Sequence, residues 1–420
     1  MADKKERIVI LGAGFGGFTL TKKLIGSKYD VVLIDRYNHH QFQPLFYQVA
    51  MAGVEPSSIV FPLRKAFQNA KNVTIRVAEI KGIDADSKVV ITDTETISYD
   101  HLVVATGAVT NYFNNDKLRD NTYSLKSVSE ALAIRNDIFN DLEKAITTKE
   151  FDSRQALIDI AIVGGGPTGV ELAGALAEIK KYILPKDYRE LDADEVDIYL
   201  IQGGDRLLIG FSDQASENAL KFLESLKVKV LLNTRVVDIE NGHIKTMDGQ
   251  TIVANKVIWA AGITCDDIPG IPKESIQGRN QVHIDEHLEV VGLPNVYAIG
   301  DASYLQTDEL EHGHPQVAQV AIQMAKHLAK RFKKGKTKRF IYNDKGSLAT
   351  IGRNKAVADL PFLKISGFIA WILWLVVHVA SLIGFKNKLF VLINWGWNYI
   401  TYDQSLRLII KPVQKTKKES

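Results

Sequence analysis

Two glycine-rich turns of the same type occur in this chain, and each lies between an apolar run and a predicted helix. The first, GAGFGG at 12–17, follows the run IVIL, and the second, GGGPTG at 164–169, follows IAIV. In such a turn one glycine makes the tight bend, the next lets the backbone approach a pyrophosphate, and the third lets helix pack on strand. The helix N-terminus adds free N–H groups and a partial positive charge. Two such turns predict two dinucleotides with electrons passing between them. The glycines concerned are Gly12, Gly14 and Gly17 in the first turn and Gly164, Gly166 and Gly169 in the second.

The residue that ends the next strand differs between the two turns. After the first, the run 31–34 ends in Asp35, at the acidic position expected to accept hydrogen bonds from an adenosine ribose. After the second, the run 196–201 ends in Gln202. An amide can still hydrogen-bond a ribose hydroxyl, but it does not repel a 2′-phosphate as a carboxylate would. The second site therefore favours NADH as the electron donor, with NADPH left open.

Three later segments bring a predicted strand to a turn of small residues. They are LVVATG at 102–107, VIWAAG at 257–262 and NVYAIGD at 295–301. Together with the two glycine turns and in this order, they resemble the two-dinucleotide-binding flavoproteins, the family with the glutathione-reductase-like fold. That resemblance implies an α/β fold with two Rossmann-like domains, the NADH domain inserted in the FAD domain. It implies non-covalent FAD at the first turn and NAD(P)H at the second, near Gly262. It also implies flavin contacts at Thr106, Gly107, Gly300 and Asp301.

Cysteine usage excludes part of that family's chemistry. Cys265 is the single cysteine of the 420 residues. Disulfide reductases and sulfide-oxidising enzymes need a cysteine pair, so neither chemistry is expected here. The chain also lacks a His/Cys cluster with metal-ligand spacing, and we expect no metal. The flavin must therefore pass its electrons to something diffusible.

Charge is distributed unevenly along the chain. From Lys326 onward there are 19 Lys and Arg against 4 Asp and Glu, a charge of +15, while the rest of the chain carries −12. A basic cluster opens this tail, comprising Lys326, Lys330, Arg331, Lys333, Lys334, Lys336, Lys338 and Arg339. An acidic body with a basic tail predicts a surface that meets an anionic partner. The apolar content of the same tail favours an anionic lipid membrane, and we expect no nucleic acid.

Residues 365–385 contain no charged side chain, and an aromatic-rich stretch, 389–400, follows. A transmembrane helix over 365–385 fits the length, and a buried core or dimer helix is a second interpretation. Monotopic attachment is favoured, because aromatic side chains suit the interface while flanking Lys and Arg meet anionic headgroups. The charged segment 1–7 leads directly into the first strand, so we expect no signal peptide and a location on the cytoplasmic face of the inner membrane.

With these segments included, the whole chain resembles the type II NADH:quinone oxidoreductases, single-subunit NADH dehydrogenases that do not pump protons. The segment PLFYQVA at 44–50 matches the family's segment beside the flavin, and AQVA at 318–321 followed by Gln323 matches its AQxA quinone motif. The tail resembles its membrane-binding helices. This resemblance implies a membrane quinone as acceptor, menaquinone or ubiquinone, near Tyr47, Gln48, Gln319 and Gln323. It leaves dimer formation open.

Glu171 and Gln319 are the candidates for catalysis. Pro315 is predicted to open a helix on which Gln316, Gln319 and Gln323 share one face. Of these, Gln319 and Gln323 are expected to bind a quinone carbonyl and Gln316 to be solvated. Glu171, in the first turn after the second glycine motif, either stabilises the helix dipole or, as the resemblance implies, delivers a proton to the quinone or positions it.

The predicted organisation has four parts. The FAD domain covers 1–115 and resumes at 266–342, the NADH domain covers 116–265, and the membrane-attachment region is helical and covers 343–420. The predicted function is respiratory electron transfer, with a hydride passing from NADH to FAD and two electrons then passing to a membrane quinone. A soluble electron acceptor is one alternative, and a flavin-bound NADH sensor is another.

Overall fold

The computed structural model describes residues 5–307, 310–335, 338–403 and 406–410. The described helices are α1 Phe15–Leu24, α2 Phe46–Ala50, α3 Pro56–Ile59, α4 Leu63–Ala66, α5 Asp116–Asp120, α6 Val128–Thr147, α7 Phe151–Ile158, α8 Pro167–Tyr182, α9 Leu184–Asp187, α10 Asp213–Ser225, α11 Ala318–Lys334, α12 Phe368–Ser381 and α13 Phe385–Thr401.

The described strands are β1 Arg7–Leu11, β2 Asp30–Asp35, β3 His39–Gln41, β4 Val60–Pro62, β5 Val73–Val77, β6 Ile80–Asp84, β7 Val89–Thr92, β8 Thr96–Ser98, β9 His101–Val104, β10 Val109–Thr110, β11 Ile160–Val163, β12 Ile198–Ile201, β13 Lys229–Leu231, β14 Val236–Glu240, β15 His243–Thr246, β16 Thr251–Val253, β17 Lys256–Trp259, β18 Ile263–Thr264, β19 Ile276–Gln277, β20 Gln281–His283, β21 Val296–Ala298, β22 Ser303–Tyr304, β23 Ser347–Gly352, β24 Lys355–Leu360 and β25 Leu363–Ser366.

The chain divides into two compact units. The first unit comprises residues up to Gln41, Val60–Val109 and Ile263–Lys345, and the second comprises Phe42–Ile59, Thr110–Gly262 and residues from Gly346 onward. The second unit thus interrupts the first in sequence, which confirms the predicted insertion of one Rossmann-like unit into another. The four domain boundaries given above stay predictions.

The first unit is built on a parallel sheet in the order β21-β9-β1-β2-β5. Its central strands are short apolar runs buried on both faces, as expected for parallel strands covered by helices. Helix α1 packs against α11, where an added Cβ on Gly16 would lie 3.2 Å from Ile299 and 3.8 Å from the Ala321 side chain. The glycine turn and the Gln319 helix are therefore fixed together within this unit.

The second unit repeats the plan with the parallel sheet β13-β12-β11-β17. Its core joins this sheet to the antiparallel sheet β14-β15-β16 through Ala161, Ile201, Ile239 and Trp259. In both units the strand that precedes a glycine turn lies between two parallel neighbours. The carboxyl ends of these strands meet at one edge of each sheet, where α/β folds bind their ligands.

The C-terminal part of the second unit differs from the helical region that we predicted. It opens with the antiparallel sheet β23-β24-β25, and α12 packs on β24 through Ala356, Ala358 and Ala370. The apolar run 365–385 is divided among the end of β25, the 14 residues of α12 and the start of α13. A single helix over 365–385 is therefore wrong. In the described ranges, no helix combines the length and the apolar character that crossing a membrane requires.

Strand β23 lies against helix α8 at an unusually close approach. A Cβ placed on Gly174 would overlap the carbonyl group of Ile351, which belongs to the backbone and cannot rotate away. We expect Gly174→Ala to lower the free energy of unfolding by about 1–3 kcal/mol, because β23 must shift to admit a methyl group. Thermal unfolding of the full chain measures this.

Gly396→Ala is the matched control for Gly174→Ala. Gly396 also lies inside a helix, α13, but an added Cβ there meets no described atom within 4 Å. Alanine is the better helix former, so this variant is expected to match or slightly exceed the wild-type stability. Equal melting temperatures for the two variants would contradict the proposed close packing of α8 on β23.

Candidate active site

The first glycine turn has the geometry of a phosphate cradle. Gly12 has φ +98°, and a Cβ on it would overlap the carbonyl oxygen of Ala105. A Cβ on Gly17 would overlap the carbonyl oxygen of Gly12. On Gly14, by contrast, a Cβ meets no described atom within 4 Å. Gly14 caps α1 and has no side chain to fill the space at this helix N-terminus, where the backbone favours an anion.

The second turn repeats this geometry position by position. Gly164 has φ +116° and its added Cβ would overlap the carbonyl group of Ala260, while that on Gly169 would overlap the carbonyl oxygen of Gly164. Gly166 caps α8 and, like Gly14, has open space at its Cβ position among the described atoms. Both turns therefore fit a pyrophosphate.

Asp35 and Gln202 occupy equivalent places at the strand ends. An oxygen of Asp35 accepts from the Ala13 N–H at 2.6 Å, and the other accepts from the Tyr37 N–H at 2.7 Å. Burial raises the pKa of the Asp35 carboxyl, against the lowering effect of these two bonds. In the second unit the Oε1 of Gln202 accepts from the Gly165 N–H at 2.9 Å. Gln202 thus holds its turn with a neutral amide, which leaves the Nε2 group as a donor.

The remaining predicted flavin residues lie at the carboxyl edge of the first unit's sheet. Thr106 and Gly107 follow β9, and Gly300 and Asp301 follow β21, which pairs with β9. The Gly300 N–H donates to Met324 Sδ at 3.3 Å, and the backbone oxygen of Asp301 accepts from Gln281 at 3.0 Å. The structure therefore brings these residues to the edge that carries the Gly12 turn. In the second unit, Gly262 follows β17, the neighbour of β11.

The three predicted glutamines do not share a helix face. Helix α11 begins at Ala318, so Gln316 precedes it, and its Nε2 donates to the Asp301 backbone oxygen at 3.0 Å. The prediction of a helical, solvated Gln316 is wrong, since Val317 has an extended backbone that delays the helix start. Gln319 and Gln323 lie on α11 and bond the segment 343–345. Gln319 donates to Asp344 at 3.3 Å, and Gln323 exchanges two bonds with the Asn343 backbone, at 2.9 and 3.0 Å.

Tyr47, Gln48 and Glu171 are brought together at a cavity of about 120 Å³ within the second unit. Seven of the nineteen residues that line this cavity are aromatic, namely Tyr47, Tyr182, Trp371, Trp374, Trp395, Tyr399 and Tyr402. Trp395 Nε1 donates to Gln48 Oε1 at 2.7 Å, and Gln48 Nε2 donates to the Tyr47 hydroxyl oxygen at 2.8 Å. The hydroxyl of Tyr47 keeps its own proton, which can be donated to a ligand in the cavity.

Glu171 is a buried acid at the wall of this cavity, 8% exposed. Its Oε1 accepts from Trp374 Nε1 at 3.2 Å and from the Thr350 N–H at 3.4 Å. Burial raises the pKa of Glu171 to about 8, although both hydrogen bonds act in the opposite direction. Burial also raises the pKa of Tyr47, and the Glu171 charge adds to this. At neutral pH both groups therefore hold their protons and can donate them.

Sequence reasoning missed the residues that close the cavity. Arg353, on the turn between β23 and β24, donates to the backbone oxygens of Asn398 and Tyr399 at 2.7 and 2.9 Å. Its guanidinium lies 3.7 Å from the centre of the Tyr402 ring. It thus satisfies carbonyl groups at the end of α13 and fixes that helix at the cavity. Of the cavity's tail residues, the tryptophans were noticeable in the sequence, but their pattern predicted contact with a membrane interface and not a cavity wall.

Comparisons with known proteins agree with this arrangement. A family model described as pyridine nucleotide-disulphide oxidoreductase matches residues 6–325, and one described as the NDH2 C-terminal domain matches 345–401. The chain is 33% identical to the type II NADH:quinone oxidoreductase Ndh of Mycobacterium tuberculosis over 417 residues, covering 95% of this chain and 89% of that protein. This chain belongs to the type II NADH:quinone oxidoreductase family.

Further relatives place the family match across the whole chain. The protein NdhA of the same organism, also a type II NADH:quinone oxidoreductase, is 33% identical over 94% of this chain and 87% of its own. The solved structure of NDH2 from Plasmodium falciparum in complex with NADH is similar with a TM-score of 0.88 at 25% identity, covering 97% of this chain and all of that one. Despite the first family model's description, a chain with one cysteine cannot form an internal redox disulphide.

Proposed function

We propose that this chain is a respiratory NADH:quinone reductase that oxidises NADH and reduces a membrane quinone without moving charge across the membrane. The observation that carries the proposal is the buried carboxyl group of Glu171 at the wall of a cavity with many aromatic residues, in a chain that has two phosphate cradles. A quinone needs protons as well as electrons, and a buried acid whose pKa is raised can supply one.

The two cradles have different occupants in this proposal. Gly12, Gly14 and Gly17 with Asp35 hold the adenosine end of FAD, with Thr106, Gly107, Gly300 and Asp301 beside its flavin. Gly164, Gly166 and Gly169 with Gln202 and Gly262 hold NADH. When bound, FAD supplies the two-electron chemistry that links the hydride donor to the acceptor. Since Gln202 is neutral, it does not exclude NADPH from the second site.

The quinone residues are assigned by what each side chain can donate. Tyr47 and Glu171 each present a proton at the cavity, and the Gln48 amide fixes the Tyr47 ring by hydrogen bonding its hydroxyl. Aromatic walls suit a flat, apolar headgroup.

Gln319 and Gln323 stay proposed quinone contacts on the strength of the AQxA motif. Their amides bond segment 343–345, so an amide would have to exchange that partner for a quinone carbonyl.

Acceptor choice tests this function at steady state. NADH oxidation by the full chain is measured with a short-chain menaquinone, with a short-chain ubiquinone and with a soluble ferredoxin. The proposal requires turnover with at least one quinone at a rate well above that with ferredoxin. Fast turnover with ferredoxin and none with either quinone would favour a soluble acceptor, and no turnover with any acceptor would favour an NADH sensor.

The surface of α12, α13 and the β24–β25 turn supports attachment to a membrane. Apolar side chains project from it with large exposed fractions, 101% at Phe362, 70% at Ile369 and 81% at Phe385. More than half of the apolar side chains of both helices are exposed, which contradicts the interpretation of a buried core helix. Exposed Lys364 and Lys386 are interspersed with them and suit anionic headgroups. We propose monotopic attachment at the cytoplasmic face of the inner membrane.

The members of the basic cluster differ in how available their charges are for contact with a membrane. Arg331 pairs with Glu289 at 2.8 Å within the first unit, and its guanidinium lies over the Tyr297 ring. Lys336 lies outside the described residues. Lys326, Lys330, Lys333 and Lys334 are exposed on α11 and remain candidates for contact with anionic lipid.

We expect the double variant Phe362→Ser/Phe385→Ser to bind vesicles containing anionic lipid about 30-fold more weakly than the wild type. Each ring contributes about 1 kcal/mol if it is half inserted in the interface. Co-sedimentation with vesicles measures the affinity. Met247→Ser is the control, because Met247 is 72% exposed on a hairpin far along the sequence from the tail. Equal binding by the double variant and this control would contradict the assigned membrane face.

A further inference from the structure

A second acid on helix α8, Glu178, lies at the cavity that Glu171 also lines. Glu171, Ala175, Glu178 and Tyr182 are spaced by four, three and four residues, so they form one stripe along the helix. All four line the cavity. The stripe runs from buried Glu171 to Glu178, which is partly exposed. No step described so far uses Glu178.

Strand β23 and the turn that follows it hold both acids by backbone N–H groups. The Thr350 N–H donates to Glu171 and the Arg353 N–H donates to Glu178. These two donors flank the irregularity where β23 and β24 shift register, between Thr350 and Gly352. The close approach at Gly174 brings the strand near enough to reach both carboxylates. The two acids are therefore positioned by the same pair of elements.

The cavity that both acids line has room for water. Glu171 and Glu178 are seven positions apart on the helix, about 10 Å along its axis, which is too far for direct proton transfer. Ala175, with its short side chain, lies between them on the stripe and also lines the cavity. A cavity of about 120 Å³ with carboxylate and hydroxyl groups in its wall has both the room and the partners that buried water needs.

We propose that Glu178 is the entry point of a proton relay that reprotonates Glu171 through water held beside Ala175. This inference rests on the proposed function of Glu171. In the overall reaction, NADH and one proton from solvent convert the quinone to the quinol and release NAD⁺. The hydride carries two electrons and one proton, and the relay carries the second proton from solvent through Glu178 and Glu171 to a quinone oxygen. Each acid regains a proton for every one that it passes on.

The charges around the two acids fit these roles. Burial raises the pKa of Glu178 from its ordinary value, while Arg353, Lys355 and Lys181 counteract the rise. Cations at this end keep Glu178 able to ionise and exchange with solvent. At Glu171 the rise in pKa is counteracted by the Thr350 N–H and the Trp374 indole rather than by cations. Other titratable groups that line the cavity or lie against its wall are Tyr47 on α2, Tyr182 on α8, His378 on α12, and Tyr399 and Tyr402 at the end of α13. Of these, burial lowers the pKa of His378 to about 4, so it is neutral.

The relay is tested by steady-state turnover of the full flavin-containing enzyme with NADH and a short-chain quinone, because Glu171 must regain its proton before each further turnover. We expect Glu178→Gln to slow quinone reduction about tenfold above pH 7, less than the roughly 100-fold or more for loss of a direct acid–base group, because water partly substitutes. Flavin reduction by NADH and electron transfer to ferricyanide, which takes no proton, should be unchanged. Glu178→Asp should restore most of the rate.

A second variant keeps the test independent of the Glu178 side chain. Ala175→Leu fills the gap without removing an ionisable group, and it should slow the same step with the same loss at high pH. Time-resolved infrared spectra recorded after a pH jump give a readout without turnover. In either variant, the carboxyl group of Glu171 should gain its proton more slowly than in the wild type. Unchanged quinone reduction in both variants, while Glu171→Gln slows it, would overturn the relay alone. Unchanged rates in all three would overturn the role of Glu171 as well.

Discussion

Glu171→Gln is expected to slow quinone reduction by about 100-fold or more, the range for loss of a general acid. Glutamine preserves the shape of the side chain and can still accept from Trp374 and Thr350, but it has no carboxylic proton to give. Flavin reduction by NADH involves no acid in this account and should keep its wild-type rate. Single-turnover kinetics with separate mixing of NADH and quinone measure both steps.

The pH dependence of the wild type gives this variant a signature. Because burial raises the pKa of Glu171 to about 8, the donor form is present below that pH and is lost above it. The rate of quinone reduction should therefore fall as the pH rises through about 8, and the Gln variant should lack that fall. Glu171→Asp is the control that retains an acid. Equal loss in both half-reactions, or an unchanged pH profile, would contradict the assignment.

The same pKa shift predicts how stability depends on pH. Between pH 4.5, the ordinary value, and about 8, the folded protein holds a proton on Glu171 that the unfolded chain releases. This group therefore contributes stability fully below pH 4.5, and the contribution decreases as the pH rises toward 8, by about 1.4 kcal/mol per pH unit. Glu171→Gln should have a shallower loss of stability across that window.

Gly166→Val and Gly14→Val are expected to separate the two nucleotide sites. At each position the added side chain meets open space among the described atoms, so the fold should survive. The side chain would occupy the space where a pyrophosphate meets the helix N-terminus. Gly166→Val should lower kcat/KM for NADH by about 100-fold or more with flavin content unchanged, since losing two or three phosphate hydrogen bonds removes several kcal/mol.

Gly14→Val should have the opposite phenotype, with the flavin lost on purification and NADH binding retained. Flavin absorbance per polypeptide and calorimetric titration with NADH measure the two occupancies. Each variant is the control for the other, because the substitution and the local geometry are the same. Loss of both ligands in either variant would contradict the assignment of one nucleotide to each turn.

The two glycine turns could be predicted from the sequence because their geometry is local. A strand, a glycine turn and a helix lie within about 25 residues. Gly12 and Gly17 each correspond to a close backbone approach that the structure shows, while Gly14 leaves open space in front of the helix N-terminus. The strand-end residues follow the same logic, and Asp35 and Gln202 both bond the backbone of their turn. The insertion of one unit in the other was implied by the family resemblance that these motifs carry.

The cavity could not be read in this way. It joins Tyr47, Glu171 and Trp374, which are 124 and 203 residues apart in sequence. It also depends on the antiparallel sheet β23–β25, whose short strands precede a long apolar run that dominated the prediction. Helix starts were equally hard to place. Pro315 indicated a start that the structure delays to Ala318, and the role of Gln316 changed with it.

The central claim is that one chain takes electrons from NADH and gives them to a quinone in two separable steps. Anaerobic double-mixing stopped flow of the detergent-purified protein tests it most directly, with NADH added first and a short-chain menaquinone or ubiquinone second. The flavin absorbance is expected to bleach rapidly after NADH is added and to recover rapidly after the quinone is added. Bleaching that persists after either quinone is added would contradict this claim, and the acceptor and the role of the cavity would have to be assigned anew.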